Sequence, residues 1–503
     1  MMHLITLPLL IPFCTSVLCL ICLKSVRLQQ LLSILGSAAQ LYAALTLLGA
    51  VRSQGYLVLQ AGNWPAPFGI SLVADMLSAL MIAIAAIINA GATCYALVDI
   101  DRDRQRHGFH IFQHMLLMGV AGCFLAGDLF NLYVWYEVML MASFILLCLG
   151  GEKGQLQGGI KYVVLNLVAS AFFLTALGIL YGMIGTLNMA DIALRLQNLG
   201  NPGISSILAM LFLVAFGIKA ALFPFFAWLP DSYNAPPVAV TALFSGLQTK
   251  VGVYSLIRVF TLLFVQDISF THELILLLAG LTMVTGVFGA VSKNNIRHIL
   301  SFHIISQIGY MIMGLALFAP LALAGGIFFT IHNILAKTNL FLVGGVARRL
   351  RGTEELAGLG GLARTAPWLG ILFLISALSL AGLPPLSGFW AKLFLIWSSF
   401  QEGRFLIGAT ALFVGILTLL SMSKIWTKAF WGKVPIDHSE GRPPQKKLDF
   451  PEAALLYIPI ITLALLTLGI GFWPKPLFEL AGQAASQLLD PGQYIQAVLG
   501  ARP

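Results

Sequence analysis

The chain contains 503 residues, of which 59% are hydrophobic and only 10% are charged, whereas a soluble globular protein has roughly 25% charged residues. This composition excludes a soluble fold, because no soluble core could bury so much apolar surface, and it predicts a multi-pass membrane protein surrounded by the lipid bilayer. The net charge of +9 is spread over many short loops, so there is no basic domain to hold a nucleic acid.

Apolar runs follow one another along the chain, and most have roughly the 17 to 25 residues that one helix needs to cross a bilayer. They predict an all-α polytopic fold of about fourteen transmembrane helices, called spans 1 to 14 below. In chain order the spans are 4–23, 30–50, 70–98, 110–127, 129–149, 160–184, 206–229, 238–263, 273–291, 297–317, 322–346, 368–400, 404–430 and 453–473. The alternating pattern of residues 185–205 predicts a short surface helix, and the proline- and charge-rich residues 432–450 predict a cytoplasmic linker.

The basic residues of the loops predict how the chain is oriented. Most of the 29 Lys and Arg residues fall on one of the two sets of alternate loops, and this asymmetry places that set in the cytoplasm. Both termini are then expected outside. The basic residues assigned to the outer side are Arg52, Arg195, Arg258, Arg404, Lys475 and Arg502.

Five ionisable side chains lie within the spans instead of at their ends: Glu137, Lys219, Lys250, Lys337 and Lys392. Each costs roughly 2.5 to 3.5 kcal/mol at the centre of a membrane helix, and a single carboxylate can neutralise only one of the four lysines. Burial disfavours the charged ammonium form, so such lysines can release and accept protons. We therefore predict a proton relay, with static ion pairs between helices as the alternative.

Two spans are interrupted by helix-breaking residues, and each carries one of the lysines. The breaks are Pro224 in span 7, and Gly382, Pro384 and Pro385 in span 12. Proline removes an amide donor and clashes with the preceding turn, so both helices are expected to open and to free backbone carbonyls. Broken helices line ion sites in transporters, although a simple proline kink is the alternative for either span.

The two breaks are five spans apart, and a unit of five helices that is repeated once must insert with opposite orientation. This predicts two inverted five-helix repeats. The predicted parts of the chain are an N-terminal three-helix segment at 1–108, the first repeat at 109–265, the second and inverted repeat at 266–431, and a cytoplasmic linker with the last helix at 432–503.

Further polar side chains on spans 10 and 11 are candidates for a secondary relay. His332 shares span 11 with Lys337, which favours a role in proton transfer. His303, Ser306 and Gln307 follow one another along span 10. For His303, a packing role and a relay role are both open.

Two carboxylates near helix ends are weaker candidates. Asp128 opens span 5 and is expected to be its N-cap, and Asp75 is expected near the outer end of span 3. The histidines His107, His110 and His114 cluster at a predicted helix start, but they have no Cys or carboxylate neighbour on a buried face, so no metal site is predicted. No cofactor is predicted either, because the chain has no Rossmann glycine pattern and no loop cluster of cysteines.

Five motifs along the chain resemble one known family. They are YVWYEVML, IKAALFPFFAWLPDSYNAPP, SGLQTKVGVYSLIRV, RHILSFHIISQIGYM and AGLPPLSGFWAKLFL. They resemble the antiporter-like subunits shared by respiratory NADH:quinone oxidoreductase (complex I), membrane-bound hydrogenases and Mrp-type multisubunit sodium/proton antiporters. The resemblance covers essentially the whole chain. GNWPAPFGISLVADMLSALM and Lys392 are most similar to the D-type branch of the Mrp antiporters, since several complex I relatives carry a glutamate in place of this lysine.

The resemblance implies a proton path that runs from an interacting pair to an exit. In order, the path is Glu137 and Lys219 as the pair, Lys250 as a bridging relay, and Lys337, His332 and Lys392 leading to the exit. The resemblance also implies partner membrane subunits of the A-, B-, C-, E-, F- and G-like types, with protons and sodium as the transported ions.

Three functions from different classes follow from these observations. The first is a proton-translocating subunit of a sodium/proton antiporter, which is a transporter subunit and not an enzyme. The second is a proton-pumping subunit of a redox complex, whose chemistry would reside on other subunits. The third is a structural scaffold, for which charge-neutral replacements of the four lysines would be harmless. Partner identity separates the first two.

Overall fold

The chain folds into a bundle of apolar helices in the computed structural model, which describes residues 3–197, 202–433 and 448–500. In these ranges, eleven helices are long and apolar enough to cross a membrane, or twelve if the bent pair formed by residues 356–365 and 367–381 counts as one span. The all-α multi-pass fold is therefore confirmed. The number of fourteen spans stays a prediction.

The N-terminal segment consists of three long helices and a small β-hairpin. Its elements are α1 (His3–Ile21), α2 (Val26–Gln54), β1 (Leu57–Gln60), β2 (Ser71–Ala74), α3 (Met76–Asp99) and the short α4 (Arg102–Arg106). The two strands are antiparallel and pair Leu57 with Ala74 and Gln60 with Ser71. The predicted start of span 3 at residue 70 is wrong, because α3 begins only after Asp75, whose carboxylate caps it by accepting from the Ser78 amide.

The next elements contain the first broken helix. They are α5 (Phe109–Leu125), α6 (Leu129–Cys148), α7 (Lys153–Ile184), α8 (Met189–Gln197), α9 (Pro202–Ala220) and α10 (Trp228–Asn234). Span 7 is divided between α9 and α10, and Pro224 lies in the break. The predicted surface helix at 185–205 is present as α8, but it is packed into the protein, because Ile192 and Leu196 are buried.

The following elements form the centre of the bundle. They are α11 (Val238–Leu243), α12 (Thr249–Leu262), α13 (Ile268–Ser292), α14 (Ile296–Ala316), α15 (Pro320–Arg351), α16 (Leu356–Leu359) and α17 (Leu362–Thr365). A five-residue π-helical turn, Phe244–Gln248, joins α11 to α12. All residues in the most apolar 18-residue stretch of α15 are buried, compared with 39% in α7 and in α13. Helix α15 therefore lies in the interior.

The last elements contain the second broken helix. They are α18 (Pro367–Ala381), α19 (Ser387–Gln401), α20 (Phe405–Ile425), α21 (Phe450–Phe472), α22 (Lys475–Leu489) and α23 (Pro491–Leu499). Span 12 is divided between α18 and α19. The two short helices α22 and α23 after the last span were not predicted, and α22 packs against α15 and α3. Most of the predicted linker at 432–450 lies outside the described residues.

Candidate functional site

The four intramembrane lysines are on four different helices and are all enclosed. Lys219 is on α9, Lys250 on α12, Lys337 on α15 and Lys392 on α19. Each exposes 6% of its surface or less, whereas Glu137 on α6 is half-buried. The lysines therefore exchange hydrogen bonds with protein groups and not with bulk solvent.

Glu137 and Lys219 are linked through a third side chain that the sequence did not indicate. The Lys219 Nζ donates to the Ser170 Oγ at 3.2 Å, and the Ser170 hydroxyl donates to the Glu137 Oε1 at 2.5 Å. The two charged groups attract each other, but the hydroxyl of Ser170 on α7 stands between them. The interacting pair implied by the resemblance is thus a serine-bridged pair. The Nζ of Lys219 also lies 4.7 Å from the centre of the Tyr136 ring, which stabilises a positive charge.

Lys250 sits directly after the π-helical turn of Phe244–Gln248. Its Nζ donates to the Ser245 carbonyl at 2.5 Å. A π-turn shifts the backbone hydrogen-bond pattern and is often found at functional sites, and here it supplies the carbonyl that holds the ammonium group. A cavity of about 10 Å³ adjoins Lys250, which is roughly the space of one water molecule.

Two glycines bring the neighbours of Lys250 close to it. A Cβ at Gly252 would lie 2.8 Å from the Cα of Ala220, the residue after Lys219, so α12 and α9 touch backbone to backbone. A Cβ at Gly246 would lie 2.8 Å from the Thr338 hydroxyl, next to Lys337. The π-turn and α12 are therefore in close contact with both neighbouring lysine-bearing helices.

Lys337 occupies the central position on the buried helix α15. Its Nζ donates to the Leu300 carbonyl on α14 at 3.0 Å. The charges of Lys250 and Lys337 act on each other. Two ammonium groups that interact in this way repel each other, so a proton on one disfavours a proton on the other.

The second broken helix holds Lys392 at its break. Helix α18 ends at Gly382, which adopts a left-handed conformation with φ of 93°, and the Lys392 Nζ donates to the Ala381 carbonyl at 2.8 Å. This carbonyl is free because the helix does not continue. The Nζ also lies 5.2 Å from the centre of the Tyr310 ring.

His332 lies beside the same break and contacts two serines that sequence reasoning missed. The Nδ1 of His332 is 2.8 Å from the Ser387 Oγ, and the hydroxyls of Ser387 and Ser379 are 3.0 Å apart. The His332 Nε2 has no hydrogen-bond partner among the described residues. A Cβ at Gly388 would lie 1.7 Å from the Ser379 carbonyl oxygen and 2.9 Å from the His332 Nε2, so the glycine lets α19 approach the end of α18 and leaves room for the imidazole.

The span 10 candidates have different surroundings. His303 forms a hydrogen bond with Ser421 through its Nε2, and its charge state is coupled to Lys337 and Lys392. The Ser306 hydroxyl donates to the Met283 carbonyl at 3.0 Å, a contact between packed helices. Both polar atoms of the Gln307 amide lack a partner in the described part of the chain.

The two carboxylates at helix ends are structural caps. The Asp128 carboxylate accepts from the Asn131 amide at 2.6 Å, as expected for an N-cap. Asp75 caps α3 and also forms a buried ion pair with Arg258 at 2.5 Å. Arg258, which was assigned to the outer side, lies in α12 and exposes 5% of its surface, so it is a buried partner of Asp75 and does not reach the membrane surface. Neither carboxylate has a hydrogen bond to a lysine of the row in the described structure.

The four lysines, called the row, fall into three electrostatically linked groups: Lys219 with Glu137, Lys250 with Lys337, and Lys392 with His332 and His303. His303 also interacts with Lys337, which links the second group to the third. Between the first two groups, the observed contact is that of the α9 and α12 backbones at Ala220 and Gly252. No group of three or more His, Cys, Asp or Glu side chains that could hold a metal ion occurs among the described residues. The chemistry that this row can perform is proton exchange.

Comparison with known proteins gives one consistent family. The family described as "NADH:quinone oxidoreductase/Mrp antiporter, TM" matches residues 126–419, which is more than half of the chain. The chain is 46% identical to the D subunit of the Na(+)/H(+) antiporter of Alkalihalophilus pseudofirmus, over 99% of this chain and 100% of that protein.

Two solved structures of multisubunit membrane complexes contain a similar chain. In the Mrp complex of a Dietzia species, the matching chain is 33% identical with a TM-score of 0.90, and 99% of each chain is covered. In an archaeal membrane-bound sulfane sulfur reductase, the matching chain is 27% identical with a TM-score of 0.88, again over 99% of each chain.

Proposed function

Because the chain belongs to the NADH:quinone oxidoreductase/Mrp antiporter family of membrane subunits, we propose that it is the proton-translocating subunit of a multisubunit sodium/proton antiporter. It is a transporter subunit and not an enzyme. Its partners are the other membrane subunits of the complex, of the A-, B-, C-, E-, F- and G-like types. The relatives named as D subunits of Na(+)/H(+) antiporters and the similar chain in the Mrp complex support this proposal.

The buried row of lysines is the observation that carries the proposal. Four ammonium groups inside a membrane are unfavourable, and among the described residues only one of them has a carboxylate within reach of a single bridging side chain. The other three are held by backbone carbonyls, which accept a hydrogen bond from an amine in either protonation state. A static structural role would be better served by ion pairs or by apolar side chains.

Proton transfer at the first break can proceed through the serine. When the Ser170 hydroxyl passes its proton to Glu137 and takes one from Lys219, the carboxylate becomes a neutral acid and the ammonium a neutral amine. The loss of positive charge at Lys219 makes it easier for a neighbouring amine to hold a proton. Lys250 and Lys337 repel each other when both are charged, so the two amines would share one proton. That proton would move between them when the charge at Lys219 or at Lys392 changes.

The orientation and the internal symmetry belong to the same proposal. We place the chain in the inner membrane with both termini outside, supported by the asymmetry of the basic residues. The two repeats at 109–265 and 266–431 are supported by the equivalent breaks after Ala220 and after Ala381, each with a lysine beside it. With opposite orientations, the two breaks would face the two sides of the membrane.

The test is cation/proton exchange in vesicles that contain the assembled complex. Glu137→Gln and Lys219→Ala should each abolish exchange while the complex still assembles. Lys161→Ala is the matched control, because Lys161 is an exposed lysine that pairs with Asp231 at the surface, and it should leave exchange unchanged. Unchanged exchange in both row variants would defeat the proposal.

A redox-driven pump is the second candidate, and the likeness to the sulfane sulfur reductase chain is the observation that favours it. Partner identity separates the two candidates. Purification in a mild detergent should bring down membrane subunits of the Mrp type. Redox subunits with flavin or iron–sulfur centres in the purified complex would instead support the pump.

A further inference from the structure

A second group of buried polar side chains lies outside the region matched by the family. We call it the N-terminal polar cluster, and it is formed by Ser33, Ser37, Asn89, Thr93, Gln113 and His114. These residues come from α2, α3 and α5, and each exposes 2% of its surface or less. None of the lysines of the row is among them. The proposed proton path therefore gives no reason for the cluster.

The side chains of the cluster are joined by hydrogen bonds across all three helices. The Ser33 Oγ is 2.8 Å from the His114 Nε2, and the hydroxyls of Ser37 and Thr93 are 3.0 Å apart. The Asn89 and Gln113 amides complete the cluster: Asn89 donates to Ser37 at 3.0 Å, and Gln113 donates to Asn89 at 3.0 Å and to Thr93 at 2.6 Å. Amide nitrogens are thus used as donors within the cluster.

The cluster retains acceptors that no described protein group uses. The Gln113 Oε1, the Oε1 of the adjacent Gln40 and the His114 Nδ1 are buried and have no hydrogen-bond partner in the described part of the chain. A cluster that served only to hold helices together would pair these atoms, because an unpaired polar group in an apolar interior is costly. Amide and hydroxyl oxygens are the ligands that a hard cation prefers, and two of these three acceptors, the Oε1 atoms of Gln113 and Gln40, are amide oxygens.

The cluster extends from one end of the helices to about the middle of the membrane. Asn89 lies ten residues before the end of α3 at Asp99, a distance of about 15 Å along the helix, which is half of the roughly 30 Å hydrocarbon core. At the open end, Gln30 is half-buried and donates to Gln105 at 2.8 Å. On the far side of the cluster, Ala44 and the residues beyond it on α2 that face the interior are apolar and fully buried. The polar side chains of the cluster therefore continue towards one side of the membrane only, which is called its open side below.

The N-terminal polar cluster suits a cation better than the lysine row does, because of its charge. The row presents four ammonium groups that would repel a metal cation, whereas the cluster contains no lysine or arginine. Its side chains are neutral when His114 is neutral. An uncharged cage of oxygens gives weak and reversible binding, which a transported ion requires.

We propose that the N-terminal polar cluster binds sodium, which reaches it from the side of the membrane on which Gln30 and Gln105 lie. This inference deepens the proposed sodium/proton antiport, because it gives the second ion a binding site in the same chain. The Oε1 atoms of Gln113 and Gln40, which are unpaired among the described residues, and the hydroxyl oxygen of Thr93 supply the oxygens, with Ser37 beside them. From the distribution of basic residues, the open side is the cytoplasm.

The test is the reaction of a single cysteine with a small cationic methanethiosulfonate reagent in the assembled complex, with the six native cysteines replaced. Ser37→Cys places the thiol in the N-terminal polar cluster. Ala44→Cys is the matched control, because it lies two helical turns further along the same face of α2 and in the apolar layer. Reaction rates are compared in sodium chloride and in choline chloride of equal concentration, so that screening by salt is the same.

Ser37→Cys should react when the reagent is added on the open side, and Ala44→Cys should not. At a sodium concentration ten times the dissociation constant, the reaction at Ser37→Cys should be slowed about tenfold. The added change Gln113→Leu should abolish this protection while the thiol still reacts. An unreactive thiol at Ser37→Cys in an assembled complex, or equal rates in sodium and choline, would overturn the proposal.

These readouts do not depend on transport. If Glu137→Gln leaves exchange intact but sodium still protects Ser37→Cys, the proton path is wrong and the sodium site stands. If Glu137→Gln abolishes exchange and sodium gives no protection, the proton path stands and the sodium site is wrong. A transport measurement adds to this: Gln113→Leu should raise the sodium concentration needed for half-maximal exchange by about tenfold.

Discussion

Each of the two broken helices has a buried lysine at its break, but the groups that contact the two lysines differ. At the first break, Lys219 is linked through Ser170 to the carboxylate of Glu137. At the second break, Lys392 is held by the Ala381 carbonyl, and its titratable neighbours are the imidazoles of His332 and His303. The first lysine can keep its proton as half of an ion pair, whereas the second has no negative partner among the described residues. If the proposed proton path is correct, charge would be stored at the first break and released at the second.

Among substitutions that compare the two breaks, the largest effect on exchange should come from a replacement of Lys392 that keeps its charge. Lys392→Arg retains a positive charge, but a guanidinium does not release its proton in a protein. We therefore expect exchange to fall by about 100-fold or more, the range that a positioned proton-transfer group contributes. Exchange would be retained only if the second break requires nothing more than a positive charge.

Vesicles containing the assembled Lys392→Arg complex provide the measurement, with sodium-dependent dissipation of an imposed pH gradient as the readout. Lys428→Arg is the control. Lys428 lies in the π-helical turn that follows α20 and is not part of the row. Exchange near the wild-type rate in Lys392→Arg would show that this lysine does not release its proton during transport.

A smaller effect should come from the bridge at the first break. Ser170→Ala removes both hydrogen bonds that link Lys219 to Glu137, and we expect exchange to fall about tenfold, which corresponds to roughly the 1.4 kcal/mol of one or two hydrogen bonds. Ser170→Thr retains the hydroxyl and should recover most of the rate. Equal rates in the alanine and threonine variants would show that the hydroxyl is not in the path.

A still smaller effect on exchange should come from the glycine beside His332. A Cβ at Gly388 would lie 1.7 Å from the Ser379 carbonyl oxygen and 2.9 Å from the His332 Nε2, so Gly388→Ala should push α19 away from the end of α18, displace the imidazole and cost at least about 1 to 3 kcal/mol of stability by overpacking. Exchange should fall by less than in Ser170→Ala. Gly182→Ala on α7 is the control, because no atom of the described residues would lie within 4 Å of its Cβ. Thermal inactivation of the purified complex measures stability, and equal midpoints for both variants would contradict this reading.

The smallest effect on exchange should come from the buried ion pair away from both breaks. Asp75→Asn leaves Arg258 without its partner, and breaking a buried pair costs about 3 to 5 kcal/mol. The complex should therefore be less stable, but the rate of exchange per assembled complex should not change. A loss of exchange in complex that remains assembled would move Asp75 into the proton path.

The sequence predicted the helices and the lysines because the membrane leaves few alternatives. An apolar run must be helical to satisfy its backbone, and a lysine such as Lys337 in the middle of such a run stands out by its cost. Both breaks were predicted because Pro224 and Pro385 cannot continue a helix. These features are local, so a single sequence carries them.

The bridging groups could not be predicted in the same way. Serines such as Ser170 and Ser387 are common in membrane helices, and only the packing of α7 against α9, or of α19 against α15, shows which of them touches a titratable group. The π-turn before Lys250 has no known sequence signal. Arg258 was counted among the basic residues of the outer side, where such a residue usually reaches the membrane surface, whereas its ion pair with Asp75 keeps it buried.

Lys337→Met offers the most direct measurement, because it removes one amine from the middle of the row and leaves both breaks intact. Proton uptake that depends on sodium would be recorded in vesicles with the assembled variant complex, beside the wild type. If protons pass along the row, the variant should show no uptake above that of empty vesicles, although Glu137, Lys219 and Lys392 are unchanged. Uptake at the wild-type rate would contradict the central claim that the buried lysines form one proton path.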